Sequence, residues 1–260
     1  MIRALYSAAG GMLAQQIQLD VVANNLANVN TTGFKKSRAE FADLFYQALY
    51  PRATGARIEV GAGVRPVATT RIFTGGPLNP TGQPLDLAIE GDGFFMVEDG
   101  DGNRFYTRSG SFRVDAEGNI VNAEGYKLLD DGGNPLDSVP ENTVSLSVSA
   151  DGTVYAYVDG DTDPKELGQV GLARFPNPSG LLAMGGSLLK ETDASGQPTE
   201  GTPGSEGLGR VLSGFLEGSN VEVATEMVNL IVAQRAYELN AKAIQAADEA
   251  IGLANNLRRG

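Results

Sequence analysis

The chain has 260 residues, a net charge of −12 and 34 glycines, and it lacks Cys, His and Trp altogether. Without Cys and His it has no disulfide, no thiolate nucleophile, and neither the commonest general base nor the commonest transition-metal ligand. Excess acid opposes phosphate, so nucleic-acid binding is disfavoured.

The charge is unevenly spread. Residues 1–35 carry +1, residues 36–66 carry +2, residues 67–219 carry −14 and residues 220–260 carry −1. Nearly neutral ends can pack together, while the acidic middle keeps the molecule soluble. Apolar residues reach 42% but aromatics only 7%, a profile that suits many short strands with tight turns. The absence of Cys also agrees with an extracytoplasmic location.

At the start, Leu5, Ala9, Met12, Gln16, Leu19, Ala23 and Leu26 recur at spacings of four and three. That pattern predicts an amphipathic helix with a heptad-like stripe. Ser7, Gly10, Gly11 and Gln15-Gln16 interrupt any apolar run, so a cleaved signal peptide is not expected. The helix is predicted to stop near Asn30-Thr31-Thr32-Gly33, with Gly33 as its left-handed cap. The Asn-rich run Asn24-Asn25-Leu26-Ala27-Asn28 has two readings. It is either a solvated, frayed helix end or a set of amides that hydrogen-bond between packed helices; the interleaved apolar residues favour the second.

Residues 34–66 read as a short amphipathic helix through Phe41, Leu44, Phe45 and Leu49, followed by an extended connector. Next come short strands: Phe94–Val97, Ser111–Val114, Val144–Val148 and Val154–Val158. The turns Asp101-Gly102, Glu117-Gly118 and Asp151-Gly152 separate them. Phe112–Val121 resembles Leu146–Tyr155, which is read as two ordinary hairpins rather than a duplication. Residues 192–209 form a polar return loop.

The last segment mirrors the first. Leu230, Ala233, Tyr237, Ala241, Ile244, Ala247, Ile251, Ala254 and Leu257 form an unbroken apolar stripe. Asn220 is the expected N-cap, and Arg258 and Arg259 complement the helix dipole at the far end. A helix of that length, roughly 55 Å at 1.5 Å per residue, needs other helices beside it to bury its stripe.

No chemistry emerges between the ends. Asp99-Gly100-Asp101-Gly102-Asn103 has Arg104 where a calcium loop needs Gly, and Gly110 where it needs a bidentate Glu. Gly91-Asp92-Gly93-Phe94 lacks the glycine register of a phosphate loop. Paired acids such as Asp130-Asp131 lie in turn sequences, without the aromatic surfaces a glycosidase site would use. The residues therefore predict a non-enzymatic α+β protein with no catalytic, cofactor or metal site. Its expected organisation is a terminal helical domain (1–33 and 220–260), a connector (34–66) and a β-rich middle domain (67–219) of short antiparallel strands.

Two motifs then resemble a known family. Asn24-Asn25-Leu26-Ala27-Asn28-Val29 followed by Thr32-Gly33-Phe34-Lys35 is similar to the signature of flagellar rod and hook proteins. So is the run from Ser219-Asn220-Val221-Glu222 to Gln234-Arg235-Ala236-Tyr237-Glu238, with Gly61–Pro66 and Gly91–Phe95 adding matches in the middle. Length and the segment 41–66 resemble the distal-rod members most. The resemblance implies terminal helices paired as a coiled coil at the axis of a helical homopolymer. It also implies export without a cleaved signal to the basal body, through the flagellar type III apparatus. Implied partners are copies of itself, proximal rod and hook proteins, and the surrounding P and L rings; no nucleic acid, small-molecule substrate or cofactor is implied. Assembly would use Leu5, Ala9, Met12, Leu19, Ala23, Asn24, Asn25, Leu26 and Asn28 with the C-terminal stripe. A proximal-rod or hook-type subunit is the alternative within the family. A secreted β-rich adhesin trimerised by its helices is the alternative outside it.

Overall fold

A computed structural model describes residues 2–51, 57–160 and 163–257. Two compact units are present: Met1–Ala27, Ser37–Ile72 and Val221–Gly260 form one, and Asn28–Lys36 with Phe73–Asn220 form the other.

The helical unit holds the two long helices, α1 (Ile2–Ala27) and α2 (Val223–Leu257). They pack on one another, and the strands Ser37–Asp43 and Val64–Arg71 lie against α1. Those two strands pair antiparallel with a bulge at Glu40/Phe41, and a second antiparallel hairpin joins Tyr46–Pro51 to Arg57–Gly61. The helix expected through Phe41, Leu44 and Phe45 is therefore absent, and strands stand in its place. Phe41, Leu44 and Phe45 do scan at helical spacing, but no apolar face receives them: Phe45 is 94% exposed. Strand pairing with residues further along the chain satisfies the backbone instead. The segment expected as a separate connector is thus drawn into the unit that holds the helices.

α1 ends at Ala27, ahead of the expected stop. Asn28 starts a turn in which Thr31 donates its N–H to the Asn28 carbonyl at 3.1 Å, the usual competition of Asn with helix propagation. Gly33 does have the left-handed backbone, with φ +69°, for a different reason. A Cβ there would stand 2.5 Å from the Ser109 nitrogen, so only Gly permits this approach of two chain segments.

The β-rich unit centres on strand Phe94–Glu98. It pairs antiparallel with Arg104–Thr107, Lys127–Leu128 and Leu172–Arg174, inside a sheet extended by further short strands. The run Phe94-Phe95-Met96-Val97 looks uniformly apolar because both of its faces are covered. Phe95 and Val97 join one buried cluster with Phe105, Phe112, Ile120 and Leu172, while Phe94 and Met96 join another with Tyr106, Leu129 and Phe175. Alternation along the strand sends successive side chains to opposite sides. Edge-on ring contacts knit each cluster, with centroids 5.4 Å apart for Phe95–Phe112 and 4.7 Å for Tyr106–Phe175. The predicted strands are observed as Phe94–Glu98, Arg113–Val114, Thr143–Val148 and Thr153–Val158. Only the second is markedly shorter than predicted.

One turn is used repeatedly. At 99–103, 115–119, 122–126, 130–134 and 149–153 the first residue donates its N–H to the carbonyl of the fifth. The fourth residue, always Gly, donates to the carbonyl of the first. Each of these glycines has φ between +76° and +91°. In the first four turns the Asp or Asn side chain at the first position also accepts from the fifth residue's N–H. The likeness of Phe112–Val121 to Leu146–Tyr155 is this shared turn, in keeping with ordinary hairpins.

Hydrogen bonds from Asn103 hold the Asp99 carboxyl below the usual carboxylate range, and those from Asn119 do the same for Asp115. A carboxyl whose folded pKa is depressed stabilises the fold above its unfolded pKa, near 4, and loses that contribution as pH falls through the folded value. Asn122 shows that Asn maintains the same turn. The double variant Asp99→Asn/Asp115→Asn is therefore expected to show a shallower fall in thermal midpoint between pH 4 and 2 than the unsubstituted chain, measured by circular dichroism.

Candidate assembly surface

α1 and α2 run antiparallel. Gly11, part-way along α1, lies against Asn240, at a matching depth along α2 from the point where the following and preceding segments meet at Lys36 and Asn220. A Cβ on Gly11 would sit 2.9 Å from the Asn240 Nδ2, and one on Gly10 would sit 3.3 Å from the Val64 carbonyl. Small residues thus set the closest approach of α1 to its neighbours. The face of α1 turned inward carries Gly11, Ala14, Val22 and Asn25, the last three buried.

The expected α1 stripe lies on the flank of that face. Leu5, Met12, Leu19 and Leu26 are half-buried, and Ala9, Gln16 and Ala23 are exposed. The heptad pattern was carried by bulky residues, whereas the intrachain contact is made where α1 is smallest. On α2 the stripe does face inward: Ala233 is buried, and Leu230, Ala241, Ile244, Ala247 and Ile251 are half-buried, with Tyr237 at the rim. Ala254 and Leu257 lie on the helix with their side chains outside the described set, and Arg258 and Arg259 lie outside the described residues. The opposite face of α2 is apolar too. Val228, Val232, Leu239 and Leu253 are each more than half exposed, as are Tyr6 and Leu13 on α1.

Within the chain Asn25 bonds to the strand that follows and not to α2. Asn25 is buried, donates to the Ser37 carbonyl at 2.8 Å and accepts from the Ser37 N–H at 2.9 Å. It brackets the chain's nine-residue excursion into the β-rich unit. Asn24 is exposed and Asn28 half-buried in the turn. Asn220 is not the helix cap. It accepts from the Lys36 N–H at 2.7 Å and donates to the Thr74 hydroxyl at 3.0 Å. The first turn of α2 is served by Glu222, whose carbonyl accepts from the Glu226 N–H at 3.0 Å and whose carboxylate accepts from Thr225.

A buried ion cluster in the β-rich unit was not anticipated. Glu217 accepts from the Lys35 ammonium at 2.6 Å and from the Arg108 guanidinium at 3.3 Å, with all three side chains at most 4% exposed. Burial pushes the Lys35 pKa down, against the pull of Glu217. Lys35 belongs to the Thr32–Lys35 motif, but its partners Glu217 and Thr74 are 182 and 39 positions away, so no local pattern marks it.

A groove of about 850 Å³ lies on the β-rich unit beside the 115–119 turn and includes Leu85, Phe112, Asp115 and Val144. Its Asp115 carboxylate is committed to that turn. Among the described residues no cluster of acids could hold a metal ion, and no helix is long and apolar enough to cross a membrane.

Comparison with known proteins fits a chain with a helix at each end and a β-rich middle. Residues 5–35 match the family described as flagella basal body rod protein. Residues 88–156 match the flagellar hook protein FlgE/F/G D1 domain, and residues 212–257 match the flagellar basal body rod FlgEFG protein C-terminal. The flagellar basal-body rod protein FlgG of Borreliella burgdorferi is 49% identical over the whole of both chains. The chain belongs to the flagellar basal-body rod protein family. The rod protein FlgG of Bacillus subtilis is 40% identical, again over the full length of both. The flagellar hook protein FlgE of Salmonella typhimurium is 25% identical, with 96% of this chain and 99% of that one aligned. The rod-family matches to the two ends fall on α1 with its following turn and on α2. The D1 match covers the central strand Phe94–Glu98 and its partners Arg104–Thr107 and Lys127–Leu128.

Proposed function

We propose that the chain is the structural subunit of the flagellar distal rod, polymerising head to tail into a stiff helical shaft that carries motor torque to the hook. One observation carries this reading. After α1 and α2 have packed on each other, a second apolar face of α2 and the α1 flank stay open to solvent. Monomers rarely keep contiguous apolar faces without a partner. In a polymer these faces meet neighbouring copies, and a heterologous contact that does not close makes an open helix. The pairing of α1 with α2 would then continue as coiled-coil packing along the axis. Proximal rod and hook proteins would join the two ends, and ring proteins would surround the shaft. The subunit acts by packing alone, and it reaches the basal body by export without a cleaved signal.

The test is electron microscopy and sedimentation of the purified full-length protein left to polymerise. Open rods of constant diameter are expected. A discrete closed trimer under all conditions would support a trimeric adhesin and contradict the rod.

A further inference from the structure

The chain passes between its two units four times, after Ala27, Lys36, Ile72 and Asn220. Inside the β-rich unit Leu78–Pro80 pairs antiparallel with Phe215–Glu217, the Gly218 N–H donates to the Pro77 carbonyl, and side chains fasten residues 33–36 and 74–76 to this short ladder. Lys35 donates to the Thr74 carbonyl at 2.7 Å as well as to Glu217. Glu217 also accepts from the Gly76 N–H at 2.9 Å, and its carbonyl accepts from the Gly33 N–H at 2.8 Å. Asn220 holds Lys36 and Thr74 together. Arg108 then ties Glu217 to the core sheet, donating to the Gly91 carbonyl at 2.8 Å and to the Ile89 carbonyl at 3.4 Å.

We propose that this Glu217-centred cluster is a load-bearing junction: it fastens three of the passing segments to one another and to the core sheet, so that twist arriving along the chain is shared by all three. Stability alone is a poor reason to keep it, because buried ion groups can often be replaced by apolar ones without loss. What an apolar plug would not supply is directed bonds to the Thr74 carbonyl and the Gly76 N–H. Charge-assisted hydrogen bonds are short and directional, and they resist shear where apolar contacts slide. The mechanical role rests on the reading of the chain as a rod subunit; the fastening itself does not.

The experiment compares Glu217→Gln and the more peripheral Asn220→Ala with the unsubstituted full-length chain in two ways. In hydrogen exchange of the soluble protein, amides in 28–36, 73–77 and 214–220 are expected to exchange at least about tenfold faster in both variants; Phe94–Glu98 and Arg104–Thr107 stay protected in Asn220→Ala and lose less protection than those segments in Glu217→Gln. Acceleration spread evenly over the β-rich unit, or no acceleration, overturns the junction. In electron micrographs of polymers, the Glu217→Gln rods are expected to form and to bend with a persistence length several-fold shorter. An unchanged persistence length overturns the mechanical role. If the unsubstituted chain forms no rods, the rod reading fails and the mechanical role with it, while the exchange result still decides whether the segments are fastened.

Discussion

Glu217→Ala is expected to destabilise the β-rich unit by about 3–5 kcal/mol, because two buried cations lose their shared counter-charge. Lys35 and Arg108 stay in place with side chains 3% and 4% exposed. Their remaining acceptors are neutral carbonyls at Thr74, Ile89 and Gly91, which cannot offset two desolvated charges. The loss extends to the Gly76 N–H, which gives up its acceptor. Urea unfolding of the full-length protein, followed by tyrosine fluorescence, measures it; a change under 1 kcal/mol would show that the cations escape to water. The triple replacement Lys35→Met/Glu217→Leu/Arg108→Met removes every charge together, and its loss should be much smaller than that of Glu217→Ala.

The second large effect lies in the helical unit. Ile244 is half-buried on the inward face of α2. Ile244→Asp sets a carboxylate against α1 and is expected to destabilise the helix pair by about 2–4 kcal/mol. Rods should fail to form, because the paired helices present the polymer contacts. The readouts are helicity by circular dichroism and the pelleted fraction after polymerisation; native helicity with normal rods would show that the α1–α2 contact is dispensable.

What could be read from the sequence depended on how local the cause was. The stripe from Leu230 to Ile251, the apolar run at Phe94 and the Asp-Gly turns are local patterns, and each appears where its spacing places it. The unsatisfied stripes expected of each terminal helix are partly satisfied within the chain, because α1 and α2 meet each other. The face α1 turns to its own chain left no mark in the stripe, because bulk marks a stripe in sequence while close approach within the chain is made at Gly10 and Gly11. Strands replaced the helix expected near Phe41 because their pairing partners, such as Pro66, are supplied by distant sequence. Lys35 and Glu217 were invisible for the same reason: a salt bridge across 182 positions leaves no spacing to detect. Family motifs did mark the segments containing Asn25 and Asn220. Their geometry shows that both asparagines fasten backbone at the passages between units, a role that neither the helix-bridging reading of Asn25 nor the capping reading of Asn220 gave them.

The central claim, that the outward helix face exists for neighbouring copies, is tested most directly by Leu239→Asp. Leu239 is 66% exposed, so within one chain the change is expected to shift stability by no more than about 0.5 kcal/mol. In a polymer the same carboxylate would be buried at every subunit contact. The measurement is sedimentation of the polymerised variant beside thermal unfolding of its monomer. An unchanged unfolding midpoint with little or no pelleted rod is the predicted result; full-length rods at the unsubstituted yield would contradict it.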